Sequence, residues 1–402
     1  MSGYMREFIP QERLLLGAGP SNANPRVLRA MTQPLLGYLD SDFLQLLDDV
    51  RAMLKSLFHT HSDLTLAVSG TGTSGMEASL CNILEPGDLA IVAVNGFFGL
   101  RMTDIASRCG ATVVQINTEW GRPVDPEAIK QELAKHRRVK AVALVHGETS
   151  TGVLTPLEEI ADLAHSYDAT YIVDAVTSLG GVDIAVDDWG VDVCYSGTQK
   201  CLGCPPGLSP ITFGDRALQI INTRQTKPHS FYLDMALLGA YWASTTTRRA
   251  YHHTAPTSML YGLREGLRII FEEGPEQRVR RHQASAQSLR SGLEALGLKL
   301  FAENGYRLDS LTAVYIPDSI EDEPVRRALV KDYNIEIGGG LGELRGKIWR
   351  IGLMGENATH GNVLFLLSAL EQVLNRFGSH LSLGNGVAAA ERALVAYQAS
   401  IA

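Results

Sequence analysis

A lysine, a carboxylate and a run of small residues carry the first chemical signal in this sequence. Lys200 follows Ser196, Gly197, Thr198 and Gln199, a small and polar approach unlike that of a solvated surface lysine. Asp174 ends the apolar run 169-ATYIVD-174, where a carboxylate is costly to bury unless something cationic pairs with it. The stretch 70-GTGTSG-75 lets backbone N–H groups approach an anion at the expected start of a helix, with Thr71, Thr73 and Ser74 as possible hydroxyl donors. Singly, each has an ordinary reading: a tight turn, a helix-capping aspartate, a loop lysine. Together they suit pyridoxal phosphate, with the lysine bonded to the cofactor, the carboxylate keeping its ring nitrogen protonated and the loop holding its phosphate.

Three motifs compete with that reading. The glycines of 70-GTGTSG-75 also satisfy a dinucleotide-binding pattern, which wants an acidic residue at the end of the next strand. That strand, 89-LAIVAVN-95, ends in Asn95 and has Asp88 at its start instead. Cys201 and Cys204 form a C-x-x-C with no second ligand pair, and the Pro205-Pro206-Gly207 that follows reads as a tight turn. The pair His252-His253 lacks a nearby carboxylate or cysteine, and adjacent side chains diverge, so no metal is expected.

The elements that must position these residues are legible as a period that switches back and forth. Apolar runs at 64–69, 89–95, 111–117, 140–146, 169–174 and 191–197 read as strands, several of them apolar on both faces. Between them, GMEASLCNIL, DPEAIKQELAKH and LEEIADLAHSY have helical spacing. This alternation predicts an α/β fold with a mostly parallel sheet, and ligands in such sheets collect at the carboxyl ends of the strands. After about residue 275 the pattern becomes a long helix, then LTAVYIP, PVRRALVKDYN and KIWRIGLMG, which reads as a smaller α+β unit. The expected organisation is an arm over residues 1–20, a large cofactor-binding domain over 21–274 and a small domain over 275–402.

Bulk properties exclude several classes. The chain has 402 residues, 45% of them hydrophobic and 20% charged, as in a soluble globular protein. A net charge of −8 argues against nucleic acid or an anionic membrane as partner. Arg278, Arg280 and Arg281 read as a solvated helix face. Five cysteines do not suggest a disulfide framework. No secretory leader, membrane span or peroxisomal ending is evident, so a cytoplasmic enzyme is expected.

The segments 146-HGETSTGVL-154, 170-TYIVDAVTSLGG-181, 195-YSGTQKCLGCPPG-207, 226-TKPHSFYLD-234 and 250-AYHHT-254 resemble the motifs of the class V aminotransferases. Within that family they are most similar to the alanine–glyoxylate (serine–pyruvate) aminotransferases, and the opening LLLGAGPSNANPRVL and the late KIWRIGLMG extend the likeness over nearly the whole chain. The resemblance implies pyridoxal phosphate fold type I, with a seven-stranded, mostly parallel sheet between helices, a smaller C-terminal domain and a homodimer with shared active sites. It implies that Lys200 bonds to the cofactor and then moves the substrate proton, and that Asp174 pairs with the ring nitrogen. Val176 would pack beneath the ring and Thr149 near its phenolic oxygen. Gly72, Thr73 and Gln199 would hold the phosphate, with Tyr251 and Thr254 reaching the neighbouring subunit's phosphate. Arg350 would clamp the substrate carboxylate, with the Gly19 backbone beside it.

Two departures alter the pocket walls. Phe98 stands where the family commonly stacks a tryptophan, and Thr73 where eukaryotic members commonly have histidine. The implied reaction passes an amine from alanine or serine to glyoxylate. The segments 200-KCLGCPPGL-208 and 381-LSLGNGVAAAERAL-394 also resemble pyridoxamine–pyruvate aminotransferases, and ureidoglycine–glyoxylate and aminoethylphosphonate aminotransferases share the scaffold. A cysteine desulfurase would need a cysteine in the small domain, and none lies beyond Cys204. A non-enzymatic scaffold would be expected to have lost Lys200 or Asp174.

Overall fold

A computed structural model describes residues 7–242 and 249–401 of the chain. Its strands are β1 (Leu14–Leu16), β2 (Leu64–Ser69), β3 (Leu89–Val94), β4 (Thr112–Asn117) and β5 (Ala141–Val145), followed by the short hairpin β6 (Gly147–Glu148) and β7 (Val153–Leu154). Then come β8 (Thr170–Asp174), β9 (Val193–Tyr195), β10 (Leu208–Phe213), β11 (Leu311–Tyr315), β12 (Ile335–Gly339) and β13 (Ile348–Gly352). Seven of them form one sheet in the order β2-β10-β9-β8-β5-β3-β4, parallel except for β10, which runs against both neighbours. The expected α/β fold with a mostly parallel seven-stranded sheet is therefore present.

The apolar runs form central strands because both faces find cover. Strands β5 and β8 are buried along their whole length, and the core built on this sheet takes in Phe43, Leu54, Ile91, Leu144, Ile172 and Leu263. Strand β10 escaped the sequence reading. Its Pro210 argues against an interior strand, since proline cannot donate to the ladder. The structure keeps the half of the pairing that proline retains, because the Pro210 carbonyl accepts from the Ser196 amide at 2.7 Å.

A second sheet, β1-β12-β13-β11, has its own core around Leu16, Leu293, Trp349 and Leu370. Strand β1 comes from the N-terminal arm and pairs in parallel with β12, so the arm is tied to the late part of the chain. A small third cluster, with Cys201, Leu308, Leu311, Ile348 and Met354, joins the turn after Lys200 to the second sheet.

The basic run on the helix Pro275–Ala295 departs from its expected solvated face. Only Arg280 is largely exposed. Arg278 is 1% exposed and donates to the carbonyls of Gly180 and Cys201 at 3.2 and 2.8 Å while pairing with Glu273. Arg281 reaches Glu273 and the carbonyls of Gly355 and Ala358. A guanidinium can be buried where carbonyl oxygens occupy its fork of donors, and the segments around Gly180, Cys201 and Gly355 provide them.

Candidate active site

Parallel pairing of β8 with β9 puts Asp174 opposite Tyr195, so both side chains leave the sheet at its carboxyl edge. The Tyr195 hydroxyl donates to one Asp174 oxygen at 2.8 Å, and the Val176 amide donates to the other at 2.8 Å. Burial nevertheless pushes the Asp174 carboxyl up to about 6, because these bonds only partly replace lost water.

Lys200 follows β9 in a turn closed by the Gly203 amide on the Lys200 carbonyl. Its side chain is buried, and Nζ donates to the Ala18 carbonyl of the arm. Burial, aided by the nearby Arg350 cation, lowers the amine to about 8. The arm wraps the lysine closely: Ser21 Oγ donates to the Lys200 carbonyl at 3.0 Å. A Cβ at Gly19 would lie 2.6 Å from Nζ, and the φ of 99° there favours glycine independently. Gly19 thus sits against the lysine rather than free at a turn.

The glycine loop opens the helix Gly72–Ile83. The Gly70 amide donates to the Gly207 carbonyl at 2.9 Å and the Ser74 amide to the Thr71 carbonyl at 2.7 Å, and the N-cap Thr71 supplies no side-chain bond to the remaining first-turn amides. A Cβ on Gly72 would stand 3.0 Å from Val176 Cγ2, so the glycine allows the loop to close over the end of β8. Ser74 is not the free donor expected of it, because its hydroxyl turns back onto the Thr71 carbonyl at 2.7 Å. A cavity of about 210 Å³ lies between this loop and the strand ends. Gly72, Thr73, Gln199 and Lys200 line it, as do Phe98, Thr149, Asp174 and Val176.

Arg350 is 8% exposed and stands beside this group on β13. Nε donates to the Gly339 carbonyl at 2.7 Å and Nη1 to the Thr149 carbonyl at 3.2 Å, and no carboxylate pairs with it among the described residues. Burial lowers even this guanidinium to about 10. Tyr251 and Thr254 are elsewhere in the chain's own structure. Tyr251 is 54% exposed, packs on Tyr38 at 4.9 Å and contributes nothing to the cavity wall.

Sequence reasoning missed three participants. Arg101 lines the cavity, and its position three residues beyond Phe98 on one helix was the available signal. Tyr195, quoted within a motif but given no role, holds Asp174. Glu148 is fully buried between them in function: one oxygen accepts from Ser150, and the other accepts from the Phe98 and Gly99 amides at 3.0 and 3.4 Å. It thereby caps the helix that presents Phe98, whose N-cap Gly96 has no side chain to do so. Cys201 and Cys204 are buried, and burial pushes their thiols up to about 11 and about 12, which removes the thiolate that redox or metal chemistry needs. Among the described residues no group of three or more histidine, cysteine or acidic side chains is arranged to hold a metal.

The donor set fits pyridoxal phosphate. Gln199 Oε1 is a buried acceptor without a partner among the described residues; turning the amide over would present its NH2 group, the donor a phosphate needs, to the cavity. The loop offers its first-turn amides at Gly72 and Thr73 and the Thr73 hydroxyl, and the floor offers a carboxylate and an amine of lowered pKa.

Comparison with known proteins gives the same picture. The class-V aminotransferase family pattern matches residues 13–343. The chain is 40% identical to the (S)-ureidoglycine–glyoxylate transaminase of Bacillus subtilis over 97% of each chain. It superposes on the alanine–glyoxylate aminotransferase of Nostoc sp. with a TM-score of 0.89 at 48% identity, covering 93% of this chain and 99% of that one. The pyridoxamine–pyruvate aminotransferase of Mesorhizobium loti gives a TM-score of 0.90 at 29% identity, over 95% and 97%. This chain belongs to the class-V aminotransferases.

Proposed function

We propose that the protein transfers an amine from a small amino acid, alanine or serine, to glyoxylate, using pyridoxal phosphate held by Lys200, Asp174 and the 70–75 loop. The carrying observation is that one cavity gathers a buried amine, a buried carboxylate and the glycine-rich start of a helix, with Arg350, which pairs with no carboxylate among the described residues, beside it. The cofactor, when bound, supplies an electron sink that acidifies the substrate Cα–H.

The chain's own residues do the rest. Lys200, at about 8, is near enough to neutral pH to take a proton from the substrate Cα and return it. Asp174 holds positive charge at the ring nitrogen, and Tyr195 and the Val176 amide fix its orientation. Phe98 and Val176 both line the cavity and would flank the ring. Arg350 takes the substrate carboxylate, which gives both half-reactions a common handle. A single clamping arginine favours donors without a second carboxylate over dicarboxylic ones.

Tyr251, Thr254, Tyr232 and Phe231 form an exposed aromatic region that suits contact with a second copy of the chain, with Tyr251 and Thr254 serving the partner's phosphate. We place the domain limits at 1–20, 21–274 and 275–402; the separate cores on the two sheets support that division, while the arm's β1 pairs into the second sheet. Five buried, unpaired cysteines suit a cytoplasmic setting.

A second reading has a specific basis in the likeness to the Mesorhizobium loti enzyme: pyridoxamine as donor and pyruvate as acceptor. Visible absorbance separates the two. Purified protein with pyridoxal phosphate is expected to absorb as the lysine-bound cofactor, to bleach with alanine or serine and to recover with glyoxylate. No band with added pyridoxal phosphate would sink the proposal, and turnover only with pyridoxamine and pyruvate would transfer the assignment to the second reading.

A further inference from the structure

Arg101 is a charged residue at the cavity to which the reaction steps above give no task. It leaves the helix Phe97–Arg108 and lies with its guanidinium carbon 4.8 Å from the Phe98 ring centroid and 5.6 Å from that of Phe97. Its Nη1 donates to Thr73 Oγ1 at 3.1 Å, the one hydrogen bond its side chain makes among the described residues. Among the described residues no carboxylate pairs with it. A guanidinium keeps its charge at any working pH, and stacking on aromatic faces holds it without a counter-ion.

The position of that charge is informative. Thr73 lies in the first turn of the helix Gly72–Ile83, whose N-cap Thr71 makes no side-chain hydrogen bond to the first amides. A helix N-terminus offers roughly +0.5 elementary charge, whereas a phosphate monoester carries about −1.5 to −2. The amides, the Thr73 hydroxyl and Gln199 are neutral donors, and Lys200 is consumed by its bond to the cofactor. Arg101 is the permanent cation the loop otherwise lacks. Because Arg101 donates to Thr73 Oγ1, the threonine's own O–H is left to donate onward, and the charge polarises it in the direction an anion needs.

We propose that Arg101, acting with Thr73, is a specificity-determining residue that makes the site select a phosphorylated pyridine ligand over its unphosphorylated form. The proposal rests on the reading that the 70–75 loop holds a phosphate, and it bears on the choice of reaction. A site built this way retains pyridoxal phosphate as a resident cofactor and disfavours a phosphate-free vitamer as a passing substrate.

The test is equilibrium binding to the cofactor-stripped protein, read by absorbance and by quenching of intrinsic fluorescence, with pyridoxal phosphate and pyridoxal as separate ligands. Arg101→Met is expected to weaken pyridoxal phosphate on the order of tenfold to a hundredfold while leaving pyridoxal unchanged. Arg101→Lys should restore part of the loss. Inorganic phosphate should compete with pyridoxal phosphate less well in Arg101→Met than in wild type. Thr73→Val keeps the cation and removes the hydroxyl, so it guards against a folding defect. It should lose affinity in the same sense but by less. Equal weakening of both ligands in Arg101→Met, or an undiminished preference for the phosphorylated one, overturns the assignment to Arg101. A raised KM for the amino donor with unchanged cofactor affinity overturns it too, in favour of a substrate-carboxylate role. Equal affinity of the wild type for both ligands would overturn the phosphate reading of the loop itself, a distinct failure.

Discussion

The floor of the cavity and the aromatic patch around Tyr251 are built to opposite rules. On the floor the two charged side chains are buried and anchored: Asp174 by Tyr195 and the Val176 amide, Lys200 by the arm. In the patch, Phe231, Tyr232 and Tyr251 leave 66%, 45% and 54% of their surface in solvent. Yet the patch is not loose. His252 stacks on Phe231 at 4.9 Å, and a chain of hydrogen bonds runs from the Phe231 carbonyl through His252 and His253 to Ser69, the residue before the glycine loop. A carbonyl only accepts, so His252 Nε2 is the donor there. In neutral rings its Nδ1 then accepts from His253 Nδ1–H, and His253 Nε2 accepts from Ser69. Burial, with His252 alongside, lowers His253 to about 4 and keeps it neutral for that role. The difference teaches that the floor's charged groups find their partners within one chain, whereas the patch is hydrogen-bonded beneath and presents apolar rings at its surface.

The largest expected effect breaks the floor. Lys200→Ala should cut turnover by on the order of 10⁴, because both the covalent attachment and the proton carrier are lost at once. The absorbance of lysine-bound cofactor should vanish, while circular dichroism reports an intact fold. Substantial residual turnover would show that the floor is not where the chemistry happens.

A smaller effect sharpens the other side of the comparison. If Tyr251 completes a site on a second copy, Tyr251→Ala should weaken cofactor binding by about tenfold, roughly what one lost phosphate hydrogen bond costs. Mixing it with Lys200→Ala after subunit exchange should restore sites. Each mixed dimer then holds one site with an intact lysine from one chain and an intact tyrosine from the other. Activity at limiting cofactor should approach about a quarter of wild type under random pairing. No gain on mixing, with exchange verified by mass, would leave the patch without its proposed role.

The contrast also explains what was legible in the sequence. Asp174, Lys200 and the glycine loop stood out because each violates a local expectation: a carboxylate on an apolar strand, a lysine after small residues, glycines at a helix start. Strand periodicity then placed them on one edge without further information. Tyr195 and Glu148 were invisible because a tyrosine in a strand and a glutamate in a loop violate nothing, and only strand register or burial reveals their partners. Arg278 was misread for a related reason. A basic cluster on a helix looks solvated until the tertiary fold supplies the carbonyls of Gly180 and Cys201. Pro210 shows the converse, a residue that breaks a local rule in a strand whose neighbours need only its carbonyl.

The smallest expected effect separates the two regions by pH. Asp174 is raised from 3.8 to about 6, so its contribution to stability is full below 3.8 and is lost as pH rises through 6. Lys200 is lowered from 10.5 to about 8, so its contribution is full above 10.5 and is lost as pH falls through 8. Between those two values both groups are charged and buried, and the protein without cofactor forgoes both contributions. A ligand that bonds the amine and sets a cation against the carboxylate gains most in that window. The rise in Tm on adding pyridoxal phosphate should therefore peak near pH 7 and shrink toward both pH 5 and pH 9, by a few degrees at most. Tyr195→Phe removes a hydrogen bond that holds the Asp174 pKa down, so the acidic edge of the window should move upward and the basic edge should stay. Tyr251→Ala, outside the floor, should lower the peak without moving either edge. A cofactor-induced shift that is flat with pH would mean that the buried charges of the floor are not what the ligand relieves.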